Sequence, residues 1–187
     1  MKWNTFHMQN IGAASDPEFF RKGHAAYEYF KQLRSEIIDA SLSVEAHLTS
    51  VLVAFFAGAE SDRAELLKVL LLDAEFCTFF QKWKLLRELL EIYEVPLKLQ
   101  PAEMKALRKD LHEIITLRNR FAHGTLEVDA SDFSVSMEYF EGTKKRSKLD
   151  KEQLAASHEM FNRVCLALIA LEGVLRSKAY ALPPTDA

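Results

Sequence analysis

Apolar residues recur at three- and four-residue steps along most of this chain, and that spacing restricts it to a mainly helical fold. The stretch from Leu126 to Leu149 is different, because apolar and polar residues alternate there as in a half-buried strand. With 6 Gly and 5 Pro in 187 residues, the chain has fewer turn residues than an all-β sandwich needs. We therefore predict an all-α, up-and-down bundle of four to five main helices with a β-hairpin inserted before the last helix.

Local signals indicate where the helices begin and end. Asp16 followed by Pro17 predicts the start of a helix, and Gly58 predicts a helix end. Between them, residues 16–58 form either one long helix or two, and the sequence does not decide which. The starts of the later helices are predicted at Asp62, Asp73, Pro101 and Asp150. The predicted organisation is a flexible arm (1–15), a single helical domain (16–180, hairpin at about 126–149) and a tail (181–187).

Composition excludes several classes of protein. The net charge of −3 argues against a dedicated duplex binder, and the longest uncharged apolar stretch, Val51–Ala59, is too short to span a membrane. Cys77 and Cys165 both lie in apolar runs, which predicts free thiols in a reducing cytoplasm. No spacing of Cys and His resembles a zinc site, so we predict neither a metal nor a cofactor.

One arginine interrupts the apolar face of the helix predicted from Pro101 to Gly124. On a helical wheel Arg118 falls in the middle of the sector expected to face the core. The apolar residues of that sector are Leu107, Leu111, Ile114, Ile115, Phe121 and Ala122. An arginine there is costly unless it has a carboxylate or an anion as its partner, and its planar fork suits phosphate.

Two further polar residues lie on the rim of the same face. Asn119 and His123 are four residues apart and are therefore neighbours on the helix surface. His123 is also the last residue before Gly124, where the negative end of the helix dipole favours a cation. Geometry alone leaves two interpretations open. Arg118 either ties two helices together through a carboxylate or belongs to a binding site for an anion.

The segment Arg118-Asn119-Arg120-Phe121-Ala122-His123-Gly124 resembles the signature of the HEPN superfamily, in which a histidine follows an arginine after four to six residues. In that family the motif lies near the end of a late helix in a four- to five-helix bundle. The resemblance extends over about residues 17–178, and its specific part is this one segment. It implies a metal-independent endoribonuclease, often a toxin or defence component, that acts as a homodimer with two motifs facing each other.

The resemblance also implies a role for each motif residue. Arg118 would hold the scissile phosphate, His123 would move the proton at the 2′-hydroxyl or the leaving oxygen, and Asn119 would orient the phosphate or the imidazole. Such a reaction leaves a 2′,3′-cyclic phosphate end on RNA. Thr125 stands where some of these families carry a tyrosine that a partner nucleotidyltransferase modifies, so that particular pairing is not expected. The sequence leaves open an unidentified antitoxin or regulatory protein as a partner.

Two supporting elements are predicted beside the motif. Family members place an acid on an early helix, and we expect Glu45 to pair with Arg118; the alternative is a solvated Glu45 at the edge of its helix face. The densest basic run consists of Lys144, Lys145, Arg146 and Lys148. It is expected either to hold a nucleic-acid backbone or to be a solvated edge that discourages pairing between strands.

The alternative to a ribonuclease is a non-catalytic, HEPN-like dimeric module that binds a nucleotide, a nucleic acid or a protein and serves a regulatory role. The two functions make different demands on Arg118. Catalysis needs Arg118 and His123 in an accessible cleft, whereas a buried Arg118 that is fully satisfied by Glu45 favours the binding module.

Overall fold

A computed structural model describes residues 17–58, 61–92, 101–129 and 131–177 of the chain. The predicted N-terminal arm and C-terminal tail lie outside the described residues, and so does Asp16, the expected cap of the first helix. The described chain is mostly helical, with five α-helices and a small antiparallel sheet before the last of them, which confirms the predicted fold class.

The helices are α1 (Pro17–Ala57), α2 (Ser61–Leu67), α3 (Phe79–Ile92), α4 (Pro101–His123) and α5 (Lys151–Ser177). A π-helical turn (Lys68–Leu72) follows α2 directly. The strands, all between α4 and α5, are β1 (Thr125–Val128), β2 (Val135–Glu141) and β3 (Thr143–Lys148).

Helix α1 answers the question that the sequence left open, because a single α-helix of 41 residues covers this region. It begins at Pro17, as predicted, and ends next to Gly58, which has a φ of 62°. Glycine adopts this left-handed conformation without steric cost, and the Gly58 N–H donates to the Ala54 carbonyl at 3.1 Å. The predicted stop at Gly58 is therefore confirmed.

The start of α3 differs from the sequence prediction. Asp73 does not cap this helix; its N–H closes the π-helical turn by donating to the Lys68 carbonyl at 2.8 Å. Thr78 and Gln81 form the cap instead: the Thr78 N–H donates to Gln81 Oε1 at 2.7 Å, and the Gln81 N–H donates to Thr78 Oγ1 at 3.4 Å. This reciprocal capping box determines where the helix begins, six residues after Asp73.

The inserted β-structure has three strands rather than the two of a hairpin. The strand order is β1-β2-β3 with antiparallel pairing throughout, and Gly142 makes the tight turn between β2 and β3 with a φ of 71°. Val135 and Met137 are buried on β2, whereas every residue of β3 is exposed. Phe133, expected in the strand, lies before it with a φ of 56° and packs its ring against Phe19 at 5.1 Å.

The described residues form two compact units. The first unit contains the residues up to Ala40 together with Thr116–Glu159, and the second contains Ser41–Ile115 together with the residues from Met160 onward. The sheet and the last turns of α4 therefore belong to the first unit. Two helices, α1 and the Leu154–Ser177 part of α5, are long and apolar enough to cross a membrane by length and composition, as are some core helices of soluble proteins.

Candidate functional site

Helix α4 carries all three residues of the predicted motif. It begins at Pro101 and ends at His123, and its apolar stripe is buried as predicted. The fully or nearly fully buried members of the stripe are Leu107, Leu111, Ile114, Ile115 and Phe121. Burial of this stripe fixes the rotation of the helix about its axis, and with it the directions in which the motif side chains leave the backbone.

Arg118 is half-buried rather than enclosed among the apolar residues that flank it on the helical wheel. Its Nη1 atom donates to the Asn119 side-chain oxygen at 3.1 Å. No ion pair of the described residues includes Arg118, so its charge is not matched by a carboxylate there. Arg118, which the helical wheel placed among core-facing residues, thus keeps access to solvent and so avoids the cost of a fully buried charge.

His123 and Asn119 are both exposed, and His123 is the last residue of α4. The side chain of His123 takes part in none of the hydrogen bonds or ion pairs found among the described residues. Five residues of α-helix place Arg118 and His123 about 7.5 Å apart along the axis and about 140° apart around it. The structure thus brings Arg118 to Asn119, while His123 stands separately at the end of the helix.

Arg120 lies outside the apolar stripe of α4 and packs against the sheet. Its guanidinium carbon is 4.9 Å from the centre of the Tyr139 ring, and its Nη2 atom is 3.3 Å from both oxygens of Glu141. Its Nε atom is buried without a hydrogen-bond partner. A wheel built from one apolar stripe does not anticipate that a second element covers another side of the helix.

Gly124, the residue that closes the motif, is needed for close packing. A Cβ atom at this position would lie 2.6 Å from the Arg120 carbonyl oxygen and 2.8 Å from Met137 Cγ. The Gly124 N–H also donates to that carbonyl at 2.7 Å. Glycine here therefore allows the end of α4 to approach β2, which any larger residue would prevent.

Arg34 of α1 contributes to the same end of α4, and the sequence analysis missed it. Its Nη2 atom donates to the Ala122 carbonyl at 3.0 Å and its Nη1 atom to the Gly124 carbonyl at 3.1 Å. The signal was present in the sequence, because Arg34 lies four residues after Phe30 and three before Ile37, both of which are buried. It is thus a second arginine on an apolar helix face, as Arg118 is.

Glu45 has a different partner from the one that we predicted. Its Oε1 atom accepts a hydrogen bond from Lys82 Nζ at 2.9 Å, and the two side chains are only 20% and 6% exposed. The expected use of this carboxylate by Arg118 is corrected accordingly, because a buried ammonium group needs an anionic partner more strongly than a half-exposed guanidinium does. Sequence alone did not mark Lys82 as buried.

The basic run of β3 is matched by acidic residues. The pairs are Lys144–Glu138 at 2.8 Å, Lys145–Glu141 at 2.8 Å, Arg146–Glu127 at 3.2 Å and Lys148–Asp132 at 3.3 Å. Between residues 125 and 150 the chain carries six acidic and four basic residues, so the sheet has no excess of positive charge. The nucleic-acid-binding role of this run stays a prediction, and the pairing favours the interpretation as a solvated edge.

The pKa values of two of these carboxylic acids are depressed. The hydroxyl and N–H of Ser134, with a smaller contribution from Lys148, lower the pKa of Asp132 from its usual value to about 2. Hydrogen bonds from Lys145 and then Arg120 lower the pKa of Glu141. Both groups therefore stay ionised in mild acid, and the cations that face them stay paired.

The cysteines and acidic residues that the structure describes show no arrangement for metal binding. Cys77 and Cys165 are free and half-buried, and burial raises the pKa of both thiols. Within the described part of the chain, no group of three or more His, Cys, Asp or Glu side chains is placed to hold a metal ion.

Comparison of the chain with protein-family models, with curated proteins and with solved structures finds no match. The resemblance to the HEPN superfamily therefore depends on the motif of α4 and on its place in the fold.

Proposed function

We propose that this chain is a metal-independent endoribonuclease of the HEPN type, with Arg118, Asn119 and His123 as its site. The observation that carries the proposal is the state of Arg118, whose guanidinium is half-exposed and is held by the neutral amide of Asn119. Because no carboxylate among the described residues neutralises it, its charge and its remaining donors are available to a phosphate.

In the proposed reaction the 2′-hydroxyl of RNA attacks the adjacent phosphorus. The O2′–P bond forms, the P–O5′ bond breaks, and the proton lost from the 2′-oxygen is balanced by one gained at the 5′-oxygen. Arg118 stabilises the charge that develops on the phosphoryl oxygens, and His123 carries one of the two protons. The products are a 2′,3′-cyclic phosphate and a 5′-hydroxyl, and the reaction consumes no water.

In this proposal a second copy of the chain completes the active site. One exposed His123 supplies one acid or base, whereas the reaction moves a proton at each of two oxygens. Two motifs that face each other across a two-fold axis would supply both, as the resemblance implies. The proposal includes a cytoplasmic location, where RNA is the substrate, and leaves the identity of an antitoxin or regulatory partner to experiment.

The alternative function, a non-catalytic dimeric module, has less support from the geometry. That function is favoured by a buried Arg118 whose charge is satisfied by Glu45. Arg118 is half-exposed and Glu45 is paired with Lys82. Arg118 is therefore not committed to the ion pair with Glu45 that would favour the binding module.

The test is cleavage of a defined single-stranded RNA by the purified protein in EDTA, compared with a His123→Ala variant. We expect the variant to be slower by about 10²- to 10⁴-fold, the usual contribution of a positioned acid or base. His24→Ala is the matched control, because His24 is an exposed histidine of α1 and should leave the rate unchanged. The product ends are read by mass spectrometry as cyclic phosphate or linear phosphate.

Each outcome bears on the proposal directly. Cyclic-phosphate products from the parent and from His24→Ala, with none from His123→Ala, support the ribonuclease. Equal cleavage by all three proteins points to a contaminant or to another site and contradicts the role of His123. A folded parent that neither cleaves nor binds RNA favours the regulatory module.

A further inference from the structure

The end of α4 is an unfavourable place for a phosphate unless something offsets its electrostatics. The last carbonyls of an α-helix have no intrahelical donors, and they carry about half an elementary negative charge between them. Helix α4 has 23 residues, and His123 stands at this negative end. An RNA phosphate that approaches His123 is therefore repelled by the same carbonyls that flank the imidazole.

Arg34 binds one of those carbonyls and the carbonyl of Gly124, the first residue after the helix. Its two terminal nitrogens bind the carbonyls of Ala122 and Gly124, the residues on either side of His123, at 3.0 and 3.1 Å. The guanidinium is half-buried, so solvent screens its charge less than it would screen an exposed side chain.

No carboxylate among the described residues neutralises the charge of Arg34. No ion pair of the described residues involves it, whereas Arg21 on the same helix is held by Glu18 at 2.7 Å. One full positive charge thus lies against about half a negative charge at the end of α4, and the sum is positive. Together with Arg118 this makes two arginines without carboxylate partners near the motif, a pattern that the rows of paired cations on β3 do not share.

We propose that Arg34 is a positioning residue of the site: by binding the carbonyls that flank His123, it converts the negative end of α4 into one that accepts an RNA phosphate. This inference rests on the proposed ribonuclease function and adds a residue to it. Arg34 acts through the end of α4, and Arg118 is the arginine that contacts the phosphate.

Two variants separate charge from hydrogen bonding. Arg34→Gln keeps a donor for one carbonyl and loses the charge, whereas Arg34→Lys keeps the charge and loses the two-point fork. The readouts are KM and kcat for a defined RNA, and Kd for the same RNA carrying 2′-O-methyl groups, which cannot be cleaved. Arg21→Gln is the matched control, because it makes the same change in charge on the same helix.

In low salt we expect Arg34→Gln to raise KM and Kd by about tenfold, with a smaller change in kcat, since the lost interaction acts on the approach of an anion. Arg34→Lys should stay within about threefold of the parent, and the effect of Arg34→Gln should shrink in high salt. Arg21→Gln should bind as the parent does. Thermal unfolding verifies that each variant is folded.

Unchanged Kd and KM in a folded Arg34→Gln overturn the inference while leaving the ribonuclease intact. Equal losses in Arg34→Gln and Arg34→Lys also overturn it, because the fork rather than the charge would then matter. If Arg34→Gln does not fold, Arg34→Lys decides: binding within about threefold of the parent supports the role of the charge, and a loss of about tenfold contradicts it. A parent that neither cleaves nor binds RNA overturns this inference together with the proposed function.

Discussion

The end of α4 and strand β3 are both rich in cations, but the structure treats those cations differently. On β3 every basic side chain faces a carboxylate, at distances from 2.8 to 3.3 Å. At the end of α4, Arg118 is held by a side-chain amide and Arg34 by two backbone carbonyls. The density of positive charge in the sequence makes β3 the stronger candidate for contact with an anion. The partners of these cations in the structure make the end of α4 the stronger candidate instead.

The contrast teaches that the partner of a cation matters more than the number of cations nearby. A lysine paired on the surface gains little from its carboxylate, but it must give up that carboxylate before it binds a phosphate. An arginine held by neutral groups keeps its charge and most of its donors for a ligand. Helix α4 carries both states, since Arg118 is held by the amide of Asn119 and Arg120 is bound by the carboxylate of Glu141.

The sharpest test of this comparison removes one guanidinium from each region. We expect Arg118→Gln to lower kcat/KM for RNA by about a hundredfold or more, because it removes a cation from the developing phosphoryl charge. Arg146→Gln, which removes the same charge from a paired site on β3, should lower it by less than about threefold. Steady-state cleavage of one defined RNA measures both. Equal losses would show that the contrast between the two regions has no functional meaning.

The second test adds a methyl group at Gly124, where the end of α4 packs closely against β2. Gly124→Ala should destabilise the fold by about 2 kcal/mol, because the new Cβ would lie 2.6 Å from a backbone oxygen that cannot turn away. Gly173→Ala is its control: nothing lies within 4 Å of a Cβ there, and alanine in the interior of α5 should be neutral or stabilising by up to about 1 kcal/mol. Urea denaturation compares the two variants. A Gly124→Ala protein as stable as the parent would contradict this account of the packing.

The smallest expected effect concerns how firmly the carboxylates of the sheet hold their cations. The pKa of Asp132 is lowered to about 2, so its stabilising contribution is present above its ordinary pKa and is lost as the pH falls toward 2. Carbon NMR of the Asp132 carboxyl should give a midpoint near 2 in the parent and a higher one in Ser134→Ala, which lacks one hydrogen-bond donor.

Ser131→Ala is the control for that titration. The hydrogen bonds of Ser131 lower the pKa of Asp129, so this variant should raise the midpoint of Asp129 and leave that of Asp132 in place. An Asp132 midpoint near 4 in the parent would mean that Lys148 is released already in mild acid, and the pairing on β3 would then be weaker than its 3.3 Å distance implies.

Much of the local structure was predictable from local pattern. Pro17, Gly58, Pro101 and Asp150 mark helix ends where the structure has them, because a fixed φ, a left-handed glycine and a capping carboxylate act within one turn of the chain. Asp73 failed as a start signal because Thr78 and Gln81 form a complete capping box nearer the apolar stripe of α3. The alternation after Leu126 predicted strands correctly but not their number, since the expected hairpin corresponds to β2 and β3, and the four residues of β1 add a third strand.

The sequence by itself determined the helical class, the place of the strands and the helix that carries Arg118, Asn119 and His123, because periodicity and capping are properties of neighbouring residues. Only the tertiary structure decided the partners of the charged groups. Glu45 pairs with Lys82, Arg120 pairs with Glu141, and Arg34 donates hydrogen bonds to the carbonyls on either side of His123. Such partners lie tens of residues apart in the chain, and burial, which no local pattern encodes, sets which charge most needs an opposite one.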